Sequence, residues 1–273
     1  MKYTGLKTQK IRAFATLIVW IALGWSGLAA PQISAETRAL MDPFFNQRLR
    51  PANRIEAGFL SQELSSRHDY YLKYQTLYAA GEYTILPNWS IYGELPYSFR
   101  DETRSDKTRH LDNLHLGTRA GYKTGNWMPV LGFDIEWATG DPEKTAIGSK
   151  ELGRLELLLG IDGQLDQLLV AGALRANGQT NKQFREGQNQ QFERTYWFEL
   201  TMGWRLDPVD LLLEYNYKYR NDPEYSAVSQ HTLAPGLRWN INSTLHIGLS
   251  VPCAISRERE WDYAPEIRLS AFY

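Results

Sequence analysis

Residues Val209–Arg220 read Val-Asp-Leu-Leu-Leu-Glu-Tyr-Asn-Tyr-Lys-Tyr-Arg. Leu211, Leu213, Tyr215, Tyr217 and Tyr219 take the odd positions, and Glu214, Asn216, Lys218 and Arg220 take the even ones. Successive side chains of a strand point to opposite faces, so this stretch builds one apolar-aromatic face and one charged face. The same alternation recurs on both sides of it. Pro129–Ala138 sets Leu131, Phe133, Ile135 and Trp137 against Asp134 and Glu136. Glu193–Leu206 sets Tyr196, Phe198, Leu200, Met202 and Trp204 against Glu199, Thr201 and Arg205. Gln230–Ile241, Thr244–Pro252 and Asp262–Tyr273 follow the rule as well.

In all, the pattern predicts twelve strands: 54–64, 69–85, 88–99, 110–123, 129–138, 153–164, 167–177, 193–206, 209–220, 230–241, 244–252 and 262–273. A phase change near Ala80-Gly81 suggests a bulge in the second. No long stretch keeps the 3.6-residue period of a helix.

Composition limits the surroundings of these strands. Hydrophobic residues make up 43% of the 273, and charged residues 22%, which excludes a disordered chain. Mean hydropathy is only −0.45 although aromatics reach 13%. Past the N-terminus the longest apolar run is about seven residues, Leu168 to Leu174, where a membrane helix needs about 20. A polytopic helical membrane protein is excluded. A membrane barrel is not, because its alternating strands average to neutral hydropathy.

The first 35 residues have the layout of a secretory signal peptide. Lys2, Lys7, Lys10 and Arg12 form a basic head, an apolar stretch runs from Ala13 to about Leu28, and small residues lie at Ala29-Ala30 and Ser34-Ala35. Cleavage is expected after Ala35, with Ala30 as the second choice. The segment holds four of the 30 basic and none of the 31 acidic residues, so the net charge falls from −1 to −5 without it. That charge disfavours nucleic acid as a partner. Cys253 is the single cysteine, so no internal disulfide braces the exported chain. Residues 36–53 precede the first strand and are open to three readings: a periplasmic segment, a small plug in the lumen, or a loosely ordered tail.

Connection lengths alternate. Short ones follow strands 2, 4, 6, 8 and 10, and long polar ones (Arg100–Arg109, Thr139–Leu152, Gly178–Phe192, Asn221–Ser229, Cys253–Trp261) follow strands 3, 5, 7, 9 and 11. Only the first, near Ser65–His68, is short and out of pattern. Short periplasmic turns and long external loops mark an outer-membrane barrel. The large aromatics agree with it. Trp89, Tyr122, Trp127, Trp204, Trp239 and Tyr273 fall at the periplasmic strand ends. Tyr70, Tyr97, Phe99, Trp137, Tyr196, Tyr217, Tyr219 and Tyr263 fall at the external ends. These are the two girdles of a membrane-spanning barrel. The last strand ends on Tyr273 with Ala271, Leu269 and Ile267 at alternate positions behind it, which resembles the signal read by the outer-membrane assembly machinery.

The second face is then the lumen. Its charges are mixed in sign, and Lys73, Glu94, Arg119, Asp134, Glu136, Arg154, Glu214 and Arg238 are the candidate solute-lining residues. Similar numbers of acids and bases argue against a filter of one sign. A catalytic or metal site finds no support. None of His68, His110, His115, His231 and His246 is followed two residues later by Ser, the local pattern of the twelve-stranded outer-membrane phospholipase. His110 and His115 would face opposite sides of a strand. Asn221–Glu224 and Gly140–Glu143 are turn chemistry first and calcium sites only second. No cofactor is expected.

Several ordered motifs over roughly residues 55 to 273 resemble the outer-membrane barrel family of the MetA pathway of phenol degradation, a transporter-like group. They are Leu86-Pro87-Asn88-Trp89 with Gly93-Glu94-Leu95-Pro96-Tyr97, Ala138-Thr139-Gly140-Asp141-Pro142 (Ala138 replaces the group's Pro), Leu213-Glu214-Tyr215, Pro235-Gly236-Leu237-Arg238-Trp239 and Leu249-Ser250-Val251-Pro252. The resemblance implies a barrel and a role in moving small, aromatic or hydrophobic molecules.

The expectation is therefore a Gram-negative outer-membrane barrel of twelve antiparallel strands over 54–273, porin-like and not an enzyme. Its partners would be outer-membrane lipid and lipopolysaccharide, the assembly machinery and a small solute. The charge-dense Arg100–Arg109 is a candidate lipopolysaccharide contact, though first a solvated loop. The alternatives are a closed or adhesive barrel that binds partners through external loops such as Gly178–Gln191, and then a surface hydrolase.

Overall fold

The computed structural model describes residues 43, 46–65, 71–102, 105–137, 154–181, 191–221, 227–257 and 259–273. The expected signal peptide, Phe44-Phe45, the Ser65–His68 connection beyond Ser65, and most of three long connections lie outside these residues. Fourteen strands form one antiparallel sheet: β1 Arg54–Ser65, β2 Tyr71–Leu86, β3 Trp89–Glu102, β4 Ser105–Leu111, β5 Leu114–Gly121, β6 Trp127–Trp137, β7 Arg154–Leu165, β8 Leu168–Asn181, β9 Gln191–Arg205, β10 Val209–Asn221, β11 Val228–Asn240, β12 Leu245–Ser250, β13 Cys253–Ala254 and β14 Glu266–Phe272. β4 and β5 share the flank of β3, and β12 and β13 share that of β11, so the staves number twelve. β14 pairs with β1 and closes the barrel, leaving no sheet edge to face lipid. Tyr273 N donates to Asn53 O at 3.2 Å, which brings both ends of the barrel chain to the same rim.

That rim carries the short turns. Gly125 sits at φ +59°, where a side chain would be strained, between Thr124 and Trp127, which bond each other's backbone at 2.8 and 3.0 Å. Asn242 Oδ1 caps the β11–β12 turn by accepting from Thr244 N and Leu245 N, both at 2.8 Å.

The odd–even reading of Val209–Arg220 holds: Leu211 and Leu213 are exposed outward, while Leu212, Glu214 and Asn216 are buried in the interior. Trp89, Trp137, Trp204, Trp239 and Tyr263 are likewise exposed on the outer wall, and Trp127 and Tyr273 are half-buried at the short-turn rim.

The structure corrects the sequence reading in five places. The register of β2 runs unbroken through Ala80-Gly81, and its irregularity lies between Thr84 and Leu86. Tyr74 and Tyr78 point inward, where their hydroxyls donate to Asp112 Oδ2 (2.9 Å) and Glu266 Oε1 (2.7 Å); two inward aromatics imitate a change of phase. Lys73 is not on the lumen face. It lies opposite Glu63 on the other face of the same strands, 2.5 Å from its carboxylate, at the external end where charge meets water. Much of Arg100–Arg109 is not a loop but a hairpin, since β3 runs on to Glu102, opposite Ser105 of β4. Backbone pairing can extend a ribbon into water without any apolar pattern. The fourth predicted strand breaks at Asp112-Asn113: Asp112 N still donates to Pro96 O at 3.0 Å, but the register against β3 shifts by one residue there, and the Asp112 carboxylate accepts from Tyr74 and Ser98. Cys253–Trp261 is not a free loop. Glu260 N donates to Gln230 Oε1 at 2.7 Å and Trp261 is buried.

Candidate functional site

Two different halves make up the lumen. On the β6–β10 side it is filled by the chain that precedes β1. Asn53 Oδ1 accepts from Thr84 N and Oγ1 at 2.7 and 2.8 Å, which sets the chain's direction into the barrel. Arg50 then reaches Asp162 at 3.0 Å. Leu49, only 2% exposed, packs among Val130, Leu158, Leu169, Ala171, Ala173 and Leu212. Each of these comes from a lumen-facing strand position, so this apolar patch is inside the barrel. Gly160 makes room for it, since a Cβ there would lie 2.6 Å from Leu49 Cδ2. The Arg48 side chain pairs with Glu56, and its carbonyl accepts from Arg119. Gln47 N donates to Glu199 Oε2 at 2.9 Å, and Asn46 N to Glu214 Oε2 at 2.7 Å. Asn46 Nδ2 donates to Thr201 Oγ1 at 2.9 Å, and Pro43 O accepts from Arg268 at 2.6 Å. The strand carboxylates thus satisfy backbone N–H groups that no ladder pairs.

The other half is open. A chamber of about 360 Å³ lies along β1–β3, β5–β8 and β14, with Asn46, Gln47 and Arg48 on its wall. Seven carboxylates and six arginines line it. Most are paired: Arg154 with Glu136 at 3.4 Å, Arg175 with Glu156 at 2.7 Å and Glu199 at 2.6 Å, Arg119 with Glu82 at 3.7 Å, and Arg268 with Glu56 at 3.7 Å. Glu94 and Asp134 have no ion pair with Lys or Arg among the described residues. Register sets Glu94 opposite His115, and His115 opposite Glu136, in one row across three staves.

Of the predicted lining residues, Glu94, Arg119, Asp134, Glu136 and Arg154 share the chamber wall. Glu214 is buried under Asn46, and Arg238 is bound to Asp210 at 2.9 Å toward the short-turn rim, so neither lines the chamber. Lys73 is outside. Sequence reasoning missed Tyr78 and Tyr92 on the chamber wall, and Trp197, whose ring lies 4.4 Å from the Arg175 guanidinium carbon. Arg119 covers Tyr92 in the same way at 4.1 Å. The signal was present, since these rings sit on the charged parity of their strands, but girdle logic draws every aromatic outward. No group of three or more metal-ligating side chains occurs among the described residues.

The closed twelve-stave wall, apolar and aromatic outside and charged inside, has solved counterparts. The COG4313 outer membrane channel of Pseudomonas putida F1 superposes with a TM-score of 0.65 at 12% identity, over 85% of this chain and all of that one. The chain has the fold of the bacterial outer-membrane β-barrels. The β domain of the Bordetella autotransporter BrkA gives 0.52 at 11% identity over 81% of this chain and 99% of that one. The NanC porin gives 0.51 at 10% identity over 81% and 100%. At these identities the likeness is one of fold. No protein-family model matches the chain, and no curated protein is similar to it.

Proposed function

We propose that the protein is a passive channel that lets small molecules cross the outer membrane. The observation that carries this reading is the chamber: a polar space of about 360 Å³ inside a wall that is otherwise closed to lipid. Near-equal numbers of carboxylates and arginines give it no ring of one sign, so weak ion selectivity is expected. Tyr78 and Tyr92 add ring faces to the wall, which suits the aromatic solutes implied by the resemblance to the phenol-degradation group. Residues 46–53 narrow the lumen beside it. Among similar folds, a channel and a porin support the reading, while an autotransporter domain shows that the wall alone does not require it.

Planar-bilayer recording and solute flux into liposomes test it. Small, steady conductances with flux of phenol-sized solutes are expected. Absence of both overturns it and favours the second reading, a closed barrel that presents its external loops to a partner. The dry seat of Leu49 is the observation on that side.

A further inference from the structure

The outer wall carries one feature that a plain lipid contact does not explain. Tyr215, Tyr217 and Tyr219 of β10 share the outward face with Tyr196 and Phe198 of β9 and His231 of β11. These positions are near the external end of each stave. A histidine facing lipid is costly unless its nitrogens are bonded. Here Nδ1 is bonded: Tyr215 Oη lies 2.8 Å from it. The ring is held 4.8 Å from that of Tyr217. His231 Nε2 has no hydrogen bond to any described residue.

Two arginines flank this face. Arg194 is exposed at the external end of β9, on the parity of Tyr196 and Phe198. Arg257 is exposed one residue after Ser256, whose Oγ accepts from His231 N at 3.2 Å. Neither has a carboxylate partner among the described residues, whereas Arg48, Arg54, Arg119, Arg154, Arg175 and Arg238 in the lumen are all paired. Two cations without a carboxylate partner, an imidazole nitrogen without a hydrogen bond and a group of tyrosine hydroxyls thus form a donor surface, with no acid on its outward strand positions among the described residues. It lies where the outer leaflet presents its headgroups.

We infer that this face of β9–β11 is a docking site for the phosphorylated glycolipid of the outer leaflet. The phosphates lie between Arg194 and Arg257, His231 Nε2 reaches a phosphate oxygen, and the tyrosine rings support the sugars. The site depends on the outer-membrane location and not on the channel reading.

The test is native mass spectrometry of the full chain in detergent, titrated with bis-phosphorylated lipid A. Each basic residue near an anionic headgroup is worth about fivefold in affinity. R194Q/R257Q should therefore weaken binding about 25-fold, and H231F by a few-fold, with the unboiled barrel keeping its fast gel mobility. If the double variant loses that mobility, the single variants are read instead, at about fivefold each. Lys123, exposed at the short-turn rim at the other end of the barrel, is the control, and K123Q should bind as the parent does. Binding within twofold of the parent in R194Q/R257Q overturns the proposal. So does equal binding of fully dephosphorylated lipid A, or an equal loss in K123Q.

Discussion

The two halves of the lumen use the same strand chemistry for opposite ends. Along β6–β10 the inward positions include Val130, Leu158, Leu169, Ala171 and Leu212, and they close round Leu49. Along β1–β3 and β5–β7 the inward positions include Glu56, Glu82, Glu94, Asp134, Glu136 and Glu156 among Arg54, Arg119 and Arg154, and they surround the chamber. A barrel interior therefore need not be uniform. A run of small and apolar inward residues makes a seat for an internal segment, and a run of ionic ones lines an open space.

The sharpest way to break this contrast is to remove the seated segment. Deleting residues 43–52 should raise single-channel conductance several-fold; an unchanged conductance would show that the solute path does not pass it. A milder version blocks the seat. Gly160→Leu puts a side chain where Leu49 lies, and should raise conductance less while the barrel stays folded. Leu49→Ala then measures whether the seat is dry. A loss of about 2–5 kcal/mol in urea unfolding is expected for a close-packed leucine, and a loss under about 1 kcal/mol would mean that water reaches it.

On the ionic side, Arg175→Met leaves Glu156 and Glu199 without their shared cation. About 1–3 kcal/mol of stability should go, with a shift of the reversal potential toward cations. Glu94→Gln is its counterpart. Lacking an ion pair with Lys or Arg, Glu94 should change stability by less than about 0.5 kcal/mol while moving the reversal potential toward anions. If Glu94→Gln destabilises as much as Arg175→Met, the chamber is a packed core and not a passage.

A small effect is also expected at the external rim. Glu260 lies 2.7 Å from Lys218 and 2.9 Å from Arg220. Burial alone would raise its pKa, but these two cations outweigh it and hold the carboxyl below its usual range. A lowered folded-state pKa means that the tie is at full strength above the normal glutamate range and fades as pH falls through the lowered value. Glu260→Gln at neutral pH should cost about 0.2–1 kcal/mol, and its difference from the parent should vanish in strong acid. Rim conductance noise or amide exchange at Ile255–Trp261 would read it.

Much of the fold was open to view in the sequence because a strand's period is two and depends on nothing distant. That is why the parity of Glu94, Asp134, Glu136, Glu199 and Glu214 could be read without coordinates. It failed at Lys73, Tyr74 and Tyr78, where a charge near the rim lies outside and ring hydroxyls find acids inside. Parity tells which residues share a face, but not which of them meet across a closed barrel.

The sequence by itself determined the alternation that makes the strands and the twelve staves they build, since both follow from local period and turn chemistry. Only the tertiary structure decided what occupies the lumen. Asn46 and Gln47 bond to Glu214 and Glu199, more than 150 positions away, and Leu49 meets Gly160 across the barrel. Such contacts are set by closure and register around all twelve staves, and no window of sequence contains both partners.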